Sequence, residues 1–310
     1  FLLSLLFGTI EFVRGNILTG FPWNLIIYSF SENQNFLSLL SIIGTYSFNL
    51  IVISLFSAPA IYILRKSKKE IAVFIFLFFI PLLSYFNGFS NKEKFLNSET
   101  IINPYLIRVI GSNISLDRYY DNMQAETVIK ELIKISSPDK NKKIFFLWPE
   151  GILPDVYLDE LVLYNDLFKR NFNENHLIGL GITSRNFNEN KFFNSFSVLD
   201  NNLNLIHNYN KNNLVPFGEF LPFENYLNKI GLKVITNNFG SFTKGNTRQI
   251  IEIENDIGKF KFLPLICYEI IYTGQLTENF NFDFIFNISE DGWFGNSLGP
   301  KQHFVHSKFR

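Results

Sequence analysis

Leu263-Pro264-Leu265-Ile266-Cys267-Tyr268-Glu269 places the only cysteine of the chain at the end of an apolar, strand-like run and ahead of two polar residues. A short apolar run of this kind reads as a buried strand. A thiol at its end stands where an α/β sheet gathers its chemistry. That thiol needs a base to take its proton and a cation or backbone donors to hold a developing oxyanion. Upstream, Trp148-Pro149-Glu150 follows the apolar run that starts at Ile144. Tyr209-Asn210-Lys211 follows the run that starts at Leu203, and Phe217-Gly218-Glu219 comes next. A glutamate, a lysine and a cysteine, each just after a strand-like run, supply a base, a cation and a nucleophile.

The wider pattern after Asn91 is βα-like. Strand-length apolar runs occur at 105–110, 143–148, 176–183, 194–199, 204–209, 249–254, 259–267 and 283–288, with helix-period segments at 123–136 and 155–170. Asp155 after Pro154 reads as an N-cap, with Asp159 and Glu160 in the following turns. Alternating strands and helices followed by consecutive strands predict a mixed sheet covered by helices.

Residues 1–89 are of another kind. The run 36–64 contains no Asp, Glu, Lys or Arg, and neither does 71–89. The first exceeds, and the second about matches, the roughly 20 residues that span a bilayer core. Residues 1–13 read as the tail of another span. Arg65-Lys66-Ser67-Lys68-Lys69 between the two runs predicts a cytoplasmic loop, which puts everything after Asn91 on the extracytoplasmic side. Segment 14–35 reads as an interfacial loop, because Thr19-Gly20-Phe21-Pro22-Trp23-Asn24 breaks the apolar pattern and Trp favours the membrane interface. Glu11 and Arg14 lie one helical turn apart and are placed to pair. The expected division is a transmembrane region, 1–89, and an extracytoplasmic catalytic domain, 90–310.

The whole-chain figure of 47% hydrophobic residues therefore blends two regimes. With 28 basic and 28 acidic residues the net charge is zero, and no basic stripe points to nucleic acid. One cysteine excludes an internal disulfide framework and any cysteine-based zinc site; no metal and no cofactor are expected. Phe1 already lies in an apolar run and Arg310 interrupts a helix beginning near Gln302, so a fragment cut at both ends is expected.

The ordered motifs resemble those of the nitrilase, or carbon–nitrogen hydrolase, superfamily, and more finely those of its membrane-embedded branch, the apolipoprotein N-acyltransferase family. They are Glu11 to Gly15, Thr19 to Trp23, Gly111 to Ile114, Trp148-Pro149-Glu150, Tyr209-Asn210-Lys211, Leu214 to Pro222, Ile266 to Glu269, Asn287 to Gly295, Gly299-Pro300 and Gln302-His303. The resemblance implies an αββα sandwich attached to membrane helices. It implies Glu150 as general base, Lys211 as oxyanion-stabilising cation and Cys267 as nucleophile, with Glu219, Tyr268 and Glu269 in support and Trp23, Trp148 and Trp293 as substrate- or lipid-side candidates. It further implies a phospholipid acyl donor, a diacylglyceryl-modified apolipoprotein as acceptor, and the bacterial inner membrane, multi-pass, with the catalytic domain on the periplasmic side. Two departures stand out: Phe192-Phe193 where the family often has tyrosines, and Glu290-Asp291 where it often has Asn-Asp.

Taken singly, these residues have plainer readings. A lone cysteine is more often a small buried hydrophobe, Lys211 a solvated lysine, Glu150 a turn carboxylate and Glu219 a helix-start charge. Trp293 and Phe294 read as packing near the site mouth. A membrane-tethered amidase that passes the acyl group to water is the first rival function, and a lipoprotein-binding scaffold the second. His303 and His306 raise a Cys–His or Ser–His hydrolase, but no Gly-x-Ser-x-Gly elbow is present.

Overall fold

A computed structural model describes residues 2–64, 67–99, 103–119, 124–153, 155–227, 229, 231 and 241–310. In chain order the elements are α1 (Leu2–Asn16), α2 (Leu40–Leu64), α3 (Lys68–Leu96), β1 (Leu106–Val109), α4 (Ala125–Ser136), β2 (Ile144–Leu147), α5 (Asn165–Asn171), β3 (His176–Asn186), β4 (Lys191–Leu199), β5 (Leu205–Asn210), α6 (Glu224–Leu227), β6 (Ile251–Asn255), β7 (Gly258–Ile266), β8 (Phe284–Ile288) and α7 (Gly299–Lys308). The chain forms two compact units. One comprises 1–101, 271–275 and 298–310; the other comprises 102–270 and 276–297.

The first unit holds two helices long and apolar enough to cross a membrane, Gln34–Leu64 with mean hydropathy 1.9 and Lys68–Leu96 with 2.1. They match the two uncharged runs, but the first is not one straight rod. Gly44 sits at φ 75°, ψ 170°, and breaks α2 after its first turn, a conformation glycine adopts without a Cβ penalty. Twenty residues remain, Thr45 to Leu64, about 30 Å at helical rise. Ser67 starts α3, its backbone N–H donating to Glu70 Oε2 at 3.2 Å; Arg65 and Lys66 of the expected basic loop lie outside the described residues. The expected division at 89/90 falls inside α3. Good helix formers at Lys92, Glu93 and Lys94 carry the helix on to Leu96.

Polar anchors hold this unit together. Glu11 is buried and accepts from Asn49 Nδ2, whose Oδ1 accepts from the Ile27 N–H at 2.9 Å. Arg14 pairs with Glu11 at 3.7 Å and donates to the Phe21 carbonyl at 2.8 Å. The chain returns to this unit at 271–275, where Tyr272 Oη donates to the Thr19 carbonyl (2.7 Å) and Gln275 Nε2 to Asn16 Oδ1 (2.6 Å).

The second unit is layered. A five-stranded sheet runs β1-β2-β3-β4-β5, and a three-stranded sheet runs β6-β7-β8. β1, β2 and β3 are parallel, and β3, β4 and β5 antiparallel. β7 pairs antiparallel with β6 and parallel with β8. One core lies between α4, α5 and the first sheet, and is built from Val128, Ile129, Leu132, Phe168, Ile144, Phe146 and Ile178. The other lies between the sheets, where Phe145, Leu147, Phe196 and Val198 meet Ile253, Phe260, Phe262 and Ile288. Residues of β2 alternate between these two cores, as period-2 side-chain direction demands. Centroids at 4.6 Å for Phe196–Phe286, 5.6 Å for Phe145–Phe260 and 5.8 Å for Phe145–Phe262 lock the sheets together. Each such pair contributes about 0.5–1.5 kcal/mol beyond area burial. Helix, sheet and sheet are three successive layers of the expected αββα sandwich.

All eight strand-like runs form strands, but boundaries move: β3 runs on to Asn186 and β4 starts at Lys191, each three residues beyond its expected run. The seventh ends at Ile266 rather than Cys267. The helix expected at 155–170 starts at Leu158 as a 3₁₀ turn and becomes α-helical at Asn165. Asp155 is not its N-cap: it has φ +52° in the preceding turn. The start is instead held by Glu160, whose Oε2 accepts from the Tyr157 N–H at 3.1 Å.

Candidate active site

Lys211 is the centre of the site. It directly follows β5, and its backbone N–H still donates to the Asn194 carbonyl of β4 at 2.8 Å, so the sheet fixes its position. Its side chain is 1% exposed and donates to Glu150 Oε1 at 3.2 Å and to Glu219 Oε1 at 3.0 Å. Burial alone would push its ammonium down. The charges of Glu150 and Glu219, with Cys267 beyond them, overcome this and hold its pKa well above the ordinary lysine value.

Glu150 lies in the turn after β2. Gly181 of β3 lets that turn approach: a Cβ there would meet the Glu150 Cα, with Gly151 N at 2.9 Å and Ile288 Cδ1 at 2.8 Å. Besides Lys211, Oε1 accepts from Asn194 Nδ2 at 2.8 Å, while Oε2 accepts from the Glu290 N–H at 3.1 Å. Glu219 is held by its own loop, Oε2 accepting from the Val215 N–H at 2.8 Å. Its Oε1 takes a second bond from Asn194 Nδ2, at 2.6 Å. Asn194 thus joins the two carboxylates that share Lys211. It has no distinctive sequence signal in a chain rich in asparagine. Its place in β4, opposite Thr183, is what brings it here.

Cys267 opens a 3₁₀ turn, Cys267–Ile271, with φ +49°. This left-handed conformation costs a residue with a Cβ about 1–2 kcal/mol. It ends β7 abruptly and turns the side chain out of the pleat. Burial first, and then the Glu150 charge, push the thiol well above its ordinary pKa. The Lys211 charge and a hydrogen bond with Ser289 oppose them. The resting group is therefore a thiol that needs a base, in a field that contains both a base and a cation.

The remaining candidates divide. Glu269 is fully buried, and its Oε1 accepts from Tyr209 Oη (2.7 Å), Arg248 Nη2 (2.8 Å), Asn212 N (2.9 Å) and Asn213 N (3.0 Å). Its Oε2 accepts from the Ile266 N–H at 2.9 Å. It therefore ties the chain following Lys211 to the turn that carries Cys267, and it supports the site without facing it. Tyr268 is buried in the same turn.

Trp148 is a correction. It is wholly buried, its Nε1 donates to Ser136 Oγ at 2.9 Å and its ring packs on Phe168 at 5.8 Å. It belongs to the helix–sheet core and offers no surface to a substrate, because it continues the helix-facing side of β2 that carries Ile144 and Phe146. Trp293 is 46% exposed and stacks on Tyr119 at 5.5 Å. Trp23 belongs to the other unit. There it is buried, with Nε1 donating to Gln302 Oε1 at 2.9 Å and its ring 4.9 Å from that of His306. His303 and His306 are buried residues of α7, which starts at Gly299 rather than near Gln302.

A buried lysine sharing two carboxylates, beside a cysteine on a left-handed turn, gives a base, an oxyanion partner and a nucleophile for attack on an acyl carbon. The sequence profile of the carbon–nitrogen hydrolases matches residues 168–310, and that of the apolipoprotein N-acyltransferase N-terminal domain matches residues 1–58. The chain is 35% identical over 320 residues to an apolipoprotein N-acyltransferase of Wigglesworthia glossinidia brevipalpis, covering 97% of the chain and 58% of the relative. It is 28% identical over 312 residues to that of Bradyrhizobium diazoefficiens, again over 97% of the chain and 58% of the relative. The chain thus spans less than two thirds of the length of these relatives. Among solved structures, an amidase from Nesterenkonia sp. AN1 aligns over 66% of this chain and 74% of its own, with a TM-score of 0.40 and 8% identity. One chain thus joins a match to the N-terminal domain of the apolipoprotein N-acyltransferases with a match to the carbon–nitrogen hydrolases, and it is similar to the apolipoprotein N-acyltransferases along nearly its whole length.

Proposed function

We propose that this chain carries the active site of an N-acyltransferase that moves an acyl chain from a phospholipid to the α-amine of a diacylglyceryl-modified N-terminal cysteine. The observation that carries the reading is the Lys211 cluster beside Cys267, in a chain that also holds two helices of membrane-spanning length and apolarity. Glu150 takes the proton from Cys267 Sγ, and the sulfur attacks the ester carbonyl of the phospholipid. Lys211 and a backbone N–H near residue 268 hold the oxyanion. One donor of this kind is typically worth about 3 kcal/mol in the transition state. The carbon–oxygen bond breaks, the lysophospholipid oxygen takes the proton from Glu150, and a thioester remains on Cys267. The acceptor amine then attacks the same carbon. Its proton passes through Glu150 to the departing sulfur, leaving an amide and a free thiol. Glu219 holds Lys211, and Asn194 keeps the two carboxylates in register.

The four basic residues at 65–69 and the uncharged runs on either side support a multi-pass arrangement in the bacterial inner membrane, with the second unit on the periplasmic side. Both substrates are then lipid-anchored, which gives a reason for one chain to carry the apolar helices and the site.

Intact-mass spectrometry of the full-length protein in phospholipid, with and without a diacylglyceryl-cysteine peptide, tests the reading. An acyl adduct on Cys267 that moves to the peptide amine is expected, and Cys267→Ser should abolish it while the fold is kept. An adduct that decays at one rate with or without peptide, yielding no N-acyl peptide, would make the protein a hydrolase. A folded protein that never forms the adduct would remove the covalent mechanism.

A further inference from the structure

Arg118 is a buried cation outside the Glu–Lys–Cys set, with its side chain 0% exposed. Its Nη2 pairs with Glu290 Oε2, and its Nη1 donates to the Ile114 and Ser115 carbonyls at 3.0 and 3.1 Å. The guanidinium lies over the Tyr119 ring, 4.6 Å from its centroid, and Tyr119 Oη donates to the Gly151 carbonyl next to Glu150. Glu290 uses its Oε1 to accept the Gly292 N–H at 3.0 Å, and its own N–H donates to Glu150 Oε2 at 3.1 Å. Ser289, one residue earlier, donates to Asp291 Oδ1 at 2.5 Å and hydrogen-bonds Cys267. Three segments meet at this pair: 114–119 after β1, 150–151 after β2 and 289–292 after β8. The last of them touches both the base and the nucleophile.

We infer that Arg118 and Glu290 form a charge-balanced clasp that positions the 289–292 loop, and through its backbone N–H the carboxylate of Glu150, for proton transfer from Cys267. The inference rests on the reading of Glu150 as base and Cys267 as nucleophile. Arg118 and Glu290 are positioning residues; neither touches reacting atoms. Glu290 is where this chain departs from the Asn-Asp pattern, and a carboxylate there brings a negative charge to the edge of a site that already holds Glu150 and Glu219. Arg118 supplies the compensating charge. The charged and titratable groups facing the two are few. Glu290 faces Arg118 and Tyr119. Glu150 faces Lys211, Tyr119 and Cys267, Lys211 is shared with Glu219 and with Cys267, and Asp291 takes the hydroxyl of the Ser289 that bonds Cys267.

A charge device makes a prediction that a packing role does not. In Arg118→Met the Glu290 carboxylate is left unpaired beside Glu150, and like charges disfavour the ionised forms. The acid limb of the Cys267 acylation profile, and the pH midpoint of Cys267 alkylation by iodoacetamide, should then move up by up to about one pH unit. In Glu290→Gln, which keeps the side-chain shape, the unpaired guanidinium should move both the other way. Arg118→Met with Glu290→Gln should bring them back to the wild-type position. Both profiles are recorded on full-length protein in phospholipid bilayers, with thermal unfolding measured in parallel. Opposite shifts that cancel in the double variant support the clasp. Shifts of the same sign, no shift in folded Glu290→Gln, or a double variant still displaced would overturn it. Should Arg118→Met fail to fold, Glu290→Gln alone decides. Alkylation does not need the phospholipid reaction. Alkylation shifts without any acyl adduct in the wild type would thus keep the clasp and remove the acyltransferase reading.

Discussion

Glu150 and Glu269 are buried carboxylates of the same unit, each paired with one cation, yet they are equipped for opposite tasks. Glu269 accepts five hydrogen bonds from strands, loop and Arg248. Glu150 accepts three, from Lys211, Asn194 and the Glu290 N–H. A carboxylate has about four lone-pair sites, so Glu269 is saturated and Glu150 has room for one more proton donor. Saturation holds a fold, whereas an open lone pair beside a thiol permits chemistry. The motifs alone do not separate the two glutamates; the count of donors does.

The sharpest way to break this comparison is to neutralise each glutamate in turn. Glu150→Gln should slow formation of the Cys267 acyl adduct by about 10²–10⁴-fold, the range of a lost general base. Its melting temperature should stay close to wild type, since Lys211 keeps Glu219. Adduct formation followed by mass spectrometry together with a thermal melt checks both halves. A folded variant with unchanged acylation would strip Glu150 of the role. Glu269→Ala should do the reverse and destabilise the unit by about 3–5 kcal/mol, because the buried Arg248 loses its partner. Denaturant unfolding reads this directly; a midpoint within error of wild type would mean that Glu269 is no anchor.

A smaller effect sharpens the picture through pH. The folded-state pKa of Cys267 is raised by burial and the Glu150 charge. Below about pH 9 the thiol is protonated in both folded and unfolded states, and it adds no slope. As pH rises past that value the unfolded chain releases the proton and the native site keeps it, so stability falls, by at most about 1.4 kcal/mol per pH unit. Lys211, whose native pKa is also raised, loses its stabilising contribution only above its ordinary value, at still higher pH. Melting temperatures taken from pH 8 to 10 should therefore drop in wild type and stay flatter in Cys267→Ser. Parallel curves would show that the thiol does not feel the site's charges.

Much of this was legible in the residues. Each of the eight strands coincides with an apolar run, because strands buried on one or both faces leave few polar side chains to confuse the period. Glu150, Lys211 and Cys267 stood out because each followed such a run, and the sheets bring the first two to a 3.2 Å contact. What stayed hidden depends on which strand lies beside which. Asn194 matters only because β4 lies next to both β3 and β5. Arg118 carries no motif of its own, and only the strand order of β1 and β8 brings its loop to that of Glu290. Trp148, a substrate-side candidate through the resemblance, instead follows Ile144 and Phe146 by strand alternation into the helix–sheet core. Asp155 has the composition of a cap, but a turn with positive φ comes first.

Gly181 offers nothing that reacts, yet it is the residue against which the turn carrying Glu150 rests, with no space even for a methyl group. In a saturation screen for loss of function, alanine at this mid-strand position would score with the catalytic substitutions and be mistaken for a hidden member of the reaction. The tolerance map of this unit would thus follow the distance between two backbones as closely as it follows the side chains gathered around Lys211.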